Sequence, residues 1–257
     1  MDLWDIKGRL EEEMTYPKYK NKHLEEALWG PSDLFKYNKS KLKLPKKFVM
    51  IYSVKALKCF IRKYKPKEIK YSPVMDIYVH ENIGIFKMPG IGCPVAATVI
   101  EELVAHGGKE FISVGVAGGL NTDGFFLCKK ALRDEGTSYH YLPHGDYTFP
   151  DDKLTNKLGK IMKKNNLEYE DGITWTIDAP YRETKAEVKK YAKMGIKTVE
   201  MEASALFAVA KFRKVKVASA FVVSDVLGKK WEPRFNRKDT QKNLNKLVDA
   251  AVECLGG

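Results

Sequence analysis

Short apolar runs alternate with longer helical patterns along most of this chain, and this alternation restricts its fold more than any other feature. The sequence predicts strands at residues 48–52, 76–80, 83–88, 111–116, 125–132, 173–177, 197–200 and 215–223. It predicts helices at residues 55–64, 95–106, 153–164, 185–193, 203–212 and 240–255. Because strands and helices interleave throughout, the pattern predicts a three-layer α/β/α fold around a central mixed sheet.

Residues 1–46 differ from the rest of the chain, since they are polar and aromatic and are interrupted at Pro17, Pro31 and Pro45. We expect them to form an N-terminal extension that wraps the main domain or a neighbouring subunit, with residues 47–257 as the main domain. The sequence has no run of about 18 uncharged apolar residues and begins without an apolar signal core. It therefore predicts neither a membrane span nor secretion.

The chain is basic, with a formal net charge of +12, a value that is also found in proteins that bind nucleic acid. Its Lys residues, however, alternate with Glu and Asp, and the densest clusters, at residues 41–47 and 62–65, are short. A solvated Lys-rich surface therefore explains the charge better than a nucleic-acid site does. The four cysteines form no C-x-x-C pair, which argues against a metal site and for a reduced, cytoplasmic compartment.

Two carboxylates flank Met201 at the point where a predicted strand becomes a predicted helix. Loops at strand-to-helix junctions hold ligands in α/β proteins, and Glu200 and Glu202 can both accept hydrogen bonds from neighbouring hydroxyls, as on a sugar. The alternative is that one Glu favours the helix N-terminus and the other faces solvent. The segment alone leaves both interpretations open.

Two other segments place functional groups at strand ends. Gly115 and Gly118 belong to a Gly-rich turn after a buried strand, where backbone N–H groups can approach an anion or a sugar; glycines also serve plain tight turns. Ser224 and Asp225 end another apolar strand. Asp225 either caps the next element or acts as a general acid whose pKa is raised by its apolar surroundings.

These segments, in this order and separation, resemble the nucleoside phosphorylases, the family that includes uridine phosphorylase and the hexameric purine nucleoside phosphorylases. Related nucleosidases, which use water in place of phosphate, share the pattern. The resemblance runs from about residue 48 to the C-terminus, and its further segments are residues 90–94, residues 133–138 and Thr176 to Asp178 with Tyr181. Residues 133–143 and 175–184 are most similar to an archaeal uridine-phosphorylase-like subgroup.

The resemblance implies cleavage of an N-glycosidic bond, with phosphate attacking the ribose to give free base and ribose 1-phosphate. It implies that Glu202 binds the ribose hydroxyls, that Met201 packs on the sugar and that Glu200 lines the same wall. Asp225 matches the residue that protonates a leaving purine, and Ser224 precedes it at the site. Phosphate serves as co-substrate without a further cofactor, and the chain is expected to assemble as a dimer or a hexamer.

The chain departs from this pattern at the expected phosphate site. Ser113 stands where an Arg is usual, Val116 stands where a Ser or Thr is usual, and residues 51–58 lack the usual Gly and Arg. Lys55, Lys58 and Arg133 are the candidates to bind phosphate instead, because an anion needs only cations and N–H donors within reach. Without them, either the nucleophile is water or the site is degraded.

The base-binding pattern is also altered. In uridine phosphorylases a Gln and an Arg bind uracil, and Thr184 and Ala186 stand at these two positions. Pro180 replaces the Phe that usually stacks on the base, which leaves Tyr181 as the aromatic wall. The sequence leaves purine nucleosides and uridine open as substrates. Two alternatives to a phosphorylase also remain: a nucleosidase, and a non-catalytic relative that binds nucleosides or nucleic acid.

Overall fold

The computed structural model of the protein describes residues 16–256, so the first part of the expected N-terminal extension lies outside the described residues. The strands are β1 (Lys47–Ile51), β2 (Lys67–Ser72), β3 (Met75–His80), β4 (Ile83–Lys87), β5 (Glu110–Leu120), β6 (Phe125–Asp134), β7 (Tyr147–Thr148), β8 (Tyr169–Ile177), β9 (Ile196–Glu200), β10 (Lys216–Leu227) and β11 (Trp231–Pro233). The α-helices are α1 (Pro31–Tyr37), α2 (Val54–Tyr64), α3 (Cys93–Ala105), α4 (Asp152–Lys164), α5 (Lys185–Lys193), α6 (Ala203–Arg213) and α7 (Lys238–Gly256).

The described residues form one mixed sheet of 11 strands, in the order β11-β10-β6-β8-β9-β5-β1-β4-β3-β2, with β7 paired to β6. Strand β5 pairs with β1 and β10 in parallel and with β9 in antiparallel orientation. Because β10 pairs with both β5 and β6, strands β10, β6, β8, β9 and β5 close into a ring. In this ring Gly118 of β5 is opposite both Val199 of β9 and Asp225 of β10, which brings two of the sequence motifs together.

The sheet lies between two helical layers, which confirms the predicted α/β/α fold. On β1, Val49 and Ile51 pack in the core with α2, α4 and α7. Phe48 and Met50 face the opposite side and pack with α3 and α6. Successive residues of β1 thus pack alternately in the two cores, as expected for a strand buried on both faces.

Two details of the sheet differ from the sequence prediction. Strand β5 does not end at the glycines; it continues through them to Leu120. A Cβ at Gly118 would lie 2.5 Å from a Leu227 methyl carbon and 2.9 Å from a Val199 methyl carbon, so glycine permits the close approach of β5, β9 and β10. Strand β2 was not predicted, because Lys67–Ser72 is a mostly polar, partly exposed strand in which only Ile69 and Tyr71 alternate with polar residues.

The described part of the N-terminal extension packs on the main domain. Helix α1 places Phe35 against His106 at the end of α3, with ring centroids 3.9 Å apart, and the Tyr16 hydroxyl bonds to His140. Whether residues 1–46 form a separate unit stays a prediction. Within residues 16–256, every helix is too short or too polar to cross a membrane.

Candidate active site

A cavity of about 720 Å³ opens where β5, β9 and β10 meet, which is within the size range of small-molecule sites. The predicted site residues that line it are Gly118, Tyr181, Glu200, Met201, Ser224 and Asp225. Glu202 and Gly115 do not line the cavity, although each adjoins a residue that does. The fold therefore brings together motifs that are far apart in the sequence.

Glu200 ends β9 and holds the turn into α6. Its Oε1 accepts hydrogen bonds from the hydroxyls of Thr176, at 2.6 Å, and Thr174, at 3.4 Å. Its Oε2 accepts the backbone N–H groups of Glu202, at 2.8 Å, and Ala203, at 2.7 Å. Both oxygens thus bind protein donors, which assigns Glu200 the task of fixing the strand-to-helix turn.

We expect Thr176→Val to lower the free energy of unfolding by about 1.5–3 kcal/mol, because a buried carboxylate loses its shortest hydrogen bond. The substitution also removes the acceptor of the Ser204 N–H group. Urea denaturation measures the change. Thr174→Val is the matched control: its hydroxyl is equally buried but contacts Glu200 at only 3.4 Å, so a smaller loss is expected. Equal losses in the two variants would contradict the proposed role of Glu200.

Glu202 immediately precedes α6 and is 8% exposed. Its Oε1 accepts the Gly92 N–H group at 2.6 Å, which joins the turn after β9 to the start of α3. Burial raises the pKa of Glu202, and burial together with the neighbouring Glu202 charge raises the pKa of Glu200. Among the described residues Glu202 accepts this one hydrogen bond, so it has more capacity left for a ligand than Glu200 has.

Asp225 lies at a β-bulge of β10, where the pairing with β5 shifts between Val223 and Asp225. Bulges re-aim side chains, and here the bulge places the Ser224 hydroxyl 2.9 Å from Asp225 Oδ1. The other oxygen, Oδ2, accepts the indole N–H of Trp231 at 2.8 Å. The sequence analysis did not identify Trp231, which lies on the short edge strand β11.

Glu183 is a second carboxyl group of the cavity that the sequence analysis missed. It is half-buried, and its pKa is raised to about 7, first by burial and then by the Asp225 and Glu187 carboxylates. Among the described residues it has neither a hydrogen-bond donor nor a cation as partner. The available signal was its position directly before Thr184, the residue that caps α5.

The three predicted phosphate ligands lie elsewhere. Arg133 is 6% exposed, and its guanidinium donates to the Ser138 hydroxyl and to the Pro143 and Gly145 carbonyls. Lys55 and Lys58 are exposed on α2. None of the three lines the cavity, so their role as phosphate ligands stays a prediction that this geometry does not support.

Neutral hydroxyl groups occupy the place of the expected Arg. The Ser113 hydroxyl lies 3.0 Å from the Tyr52 hydroxyl, and a Cβ at Gly115 would lie 3.2 Å from the Tyr52 ring. Burial, and next the charge of Glu202, raise the pKa of Tyr52, so its phenol is neutral. In the part of the chain that the structure describes, the cations that line the cavity are Lys185, Lys229 and Lys230.

Comparison with known proteins gives one match to a family model, that of the Phosphorylase superfamily, over residues 67–253. Among curated proteins, the chain is 32% identical over 139 residues to guanosine phosphorylase from Halorubrum lacusprofundi, an alignment that covers 52% of this chain and 57% of that protein.

Two solved structures share the fold. AMP nucleosidase from Bacteroides thetaiotaomicron superposes with a TM-score of 0.72 at 20% identity, over 88% of this chain and 98% of that one. Purine nucleoside phosphorylase from Toxoplasma gondii, solved with immucillin-H, gives a TM-score of 0.72 at 19% identity, over 83% of this chain and 92% of that one.

Proposed function

Because the chain belongs to the Phosphorylase superfamily, we propose that it cleaves the N-glycosidic bond of a purine nucleoside with a 6-oxo group, such as guanosine. One observation carries the proposal: the cavity that holds the Glu200-Met201 turn also holds the carboxyl groups of Glu183 and Asp225. The sugar would then bind at the turn and the base at the two carboxyl groups, within one cavity. The relative named guanosine phosphorylase is consistent with this substrate.

In the proposed mechanism the sugar binds at the turn after β9. Glu202 accepts hydrogen bonds from the ribose hydroxyls and Met201 packs on the ring, while Glu200 keeps the turn in place through its own hydrogen bonds. Phosphate, as the first candidate nucleophile, attacks the anomeric carbon as the glycosidic bond breaks, and the sugar gains positive charge in the transition state. A nearby carboxylate stabilises that charge more in the transition state than in the ground state.

In the proposed mechanism the base binds between Asp225 and Glu183. Asp225 donates a proton to the imidazole nitrogen of the leaving purine, so that the departing base is neutral. Glu183, when ionised, accepts the N1–H of a 6-oxopurine and the 2-amino group of guanine. Adenine has an unprotonated N1, which an ionised carboxylate repels.

The pKa of Glu183 gives a pH-dependent prediction for binding of hypoxanthine, the free 6-oxopurine base. Since the pKa is raised to about 7, Glu183 is protonated below this pH and is then a weaker, uncharged acceptor for the N1–H. Affinity for hypoxanthine should therefore increase as pH rises through about 7, as measured by calorimetry. Glu183→Gln should abolish this pH dependence and weaken binding by roughly 10- to 100-fold.

Glu168→Gln is the control for Glu183→Gln, because Glu168 is an exposed carboxylate outside the cavity. It should leave both the affinity and its pH dependence as in the unmodified protein. If Glu183→Gln kept the same pH dependence, Glu183 would not be the group that binds the N1–H of the base.

Water in place of phosphate is the second candidate nucleophile, and the cavity walls support it. Phosphate is an anion, and the position where an Arg is expected holds the Ser113 hydroxyl, paired with the neutral Tyr52 phenol, so that position offers phosphate no cation. Product analysis separates the two: ribose 1-phosphate indicates phosphorolysis, as the sequence resemblance implies, and free ribose indicates hydrolysis.

The remaining parts of the proposal concern the setting of the reaction. We propose that the protein works in the cytoplasm as a homo-oligomer, a dimer or a hexamer, with residues 1–46 as an extension that contacts the main domain or a neighbouring subunit. The free thiols of Cys59, Cys93, Cys128 and Cys254 are consistent with a reducing compartment. Size-exclusion chromatography with light scattering tests the oligomeric state.

A further inference from the structure

Trp231 makes an unusual contact with the proposed general acid. Asp225 is 7% exposed, whereas Trp231 is 63% exposed, and yet the indole N–H donates to Asp225 Oδ2 at 2.8 Å. Both side chains line the cavity. A largely exposed aromatic ring therefore covers one oxygen of a buried carboxylate inside the proposed base site.

This hydrogen bond opposes proton donation from Asp225 Oδ2. An indole N–H is only a donor, so it needs an acceptor lone pair and stabilises the ionised carboxylate. The Ser224 hydroxyl on Oδ1 is different, because a hydroxyl can rotate and accept instead. For Oδ2 to carry a proton towards a base, the Trp231 indole has to leave it.

The indole can leave Oδ2 without disturbing the backbone around it. Strand β11 is an exposed edge strand that pairs only with β10 within the described residues, where Trp231 is opposite Leu227. The next turn is fixed separately, since the Arg234 N–H donates to the Ser224 carbonyl at 2.8 Å. A rotation of the Trp231 side chain breaks one hydrogen bond and little packing.

The indole also resembles a purine in shape. Both are fused bicyclic aromatic rings with nitrogen in the five-membered ring. We propose that Trp231 is a specificity-determining residue: its indole occupies the purine position on Asp225 Oδ2, and a base displaces it only by presenting a five-membered-ring nitrogen to the same oxygen. The proposal rests on the proposed role of Asp225 as the acid for a purine.

The proton balance of this exchange is simple. For each turnover Asp225 takes one proton from solvent, and departure of the indole leaves Oδ2 free to carry it. As phosphate, or water, forms a bond to the anomeric carbon, the glycosidic bond breaks, its electron pair stays with the base, and the Asp225 proton passes to the five-membered-ring nitrogen. Asp225 is then ionised again, and the Trp231 N–H can return to Oδ2 when the base departs.

Nuclear magnetic resonance of the protein with ¹⁵N-labelled tryptophan tests the exchange directly. The indole N–H signal of Trp231 should shift when hypoxanthine is added and should not shift with uracil. Trp175 is an internal control, because its indole donates to Asp134 at 2.8 Å outside the cavity. Its signal should stay in place with both bases.

Trp231→Phe removes the N–H group and keeps an aromatic ring. Hypoxanthine no longer competes with the indole, so we expect about tenfold tighter binding by calorimetry. Trp231→His restores a ring N–H donor and should reduce this gain. A purely structural role for Trp231 would predict weaker binding in both variants.

The outcomes separate the inference from the proposed function. If hypoxanthine binds but the Trp231 signal stays fixed, or if uracil moves it equally, the inference is wrong and the proposed function stands. If Trp231→Phe binds hypoxanthine no more tightly than the unmodified protein, the inference is also wrong. If the protein neither binds hypoxanthine nor cleaves a purine nucleoside, the proposed function fails and the inference fails with it.

Discussion

Replacing Asp225 with Asn is expected to lower the rate of purine nucleoside cleavage by about 100-fold or more, the usual scale for loss of a general acid. Asn has almost the same shape, but it cannot donate a carboxylic proton to the imidazole nitrogen of the leaving base. Uridine has no such nitrogen, so any cleavage of uridine should fall much less. Steady-state rates on inosine, guanosine and uridine measure the difference.

Asp178→Asn is the control for this substitution. Asp178 accepts the Gly136 N–H at 2.9 Å and does not line the cavity, so the same chemical change there should leave the rates on all three nucleosides intact. Equal losses on purine and pyrimidine nucleosides in Asp225→Asn would show that Asp225 has a structural role. Such a role would act through the hydrogen bonds of Asp225 with Ser224 and Trp231.

Replacing Glu202 with Gln is expected to cost about 2–4 kcal/mol of transition-state stabilisation, or roughly 30- to 1,000-fold in kcat/KM. Gln keeps the size of the side chain and can still accept the Gly92 N–H, but it removes the charge that faces the ribose hydroxyls and the developing cation. In contrast to Asp225→Asn, the loss should be equal for purine and pyrimidine nucleosides, because both carry the same sugar.

Circular dichroism and a thermal melt should show that Glu202→Gln remains folded, and Glu168→Gln again serves as the exposed control. Near-normal turnover in a folded Glu202→Gln variant would remove Glu202 from the sugar site. Since Glu202 lies beside Met201 rather than on the cavity wall, this experiment also tests whether its carboxylate reaches the substrate.

The sequence was sufficient to predict the layers of the fold because the evidence for them is local. Val49 and Phe48 are both apolar and face opposite cores, so β1 had to be buried on both faces. The extension of β5 through its glycines was not predictable in the same way. Glycine occurs in both turns and strands. The contacts with Val199 and Leu227 that keep Gly118 in a strand come from β9 and β10.

The same distinction applies to the candidate site. Glu200 was identifiable because it ends an apolar strand, and Asp225 because it is the first charged residue after the apolar run of β10, although β10 continues to Leu227. Glu183 and Trp231 reach the cavity from short connecting segments, whose direction depends on packing with β10 and α5 rather than on any local pattern. Arg133 shows the converse, since its Nη1 donates to the carbonyls of Pro143 and Gly145, which only the folded loop brings near.

Incubation of the purified protein with guanosine, with and without phosphate, tests most directly whether the cavity cleaves an N-glycosidic bond. Chromatography measures free guanine, and the sugar product is identified as ribose 1-phosphate or ribose. We expect guanine release that matches the sugar product mole for mole and that is lost in Glu202→Gln prepared identically, which excludes a contaminating enzyme. Guanine release no greater than that of a blank without protein, under either condition, would contradict the proposed function.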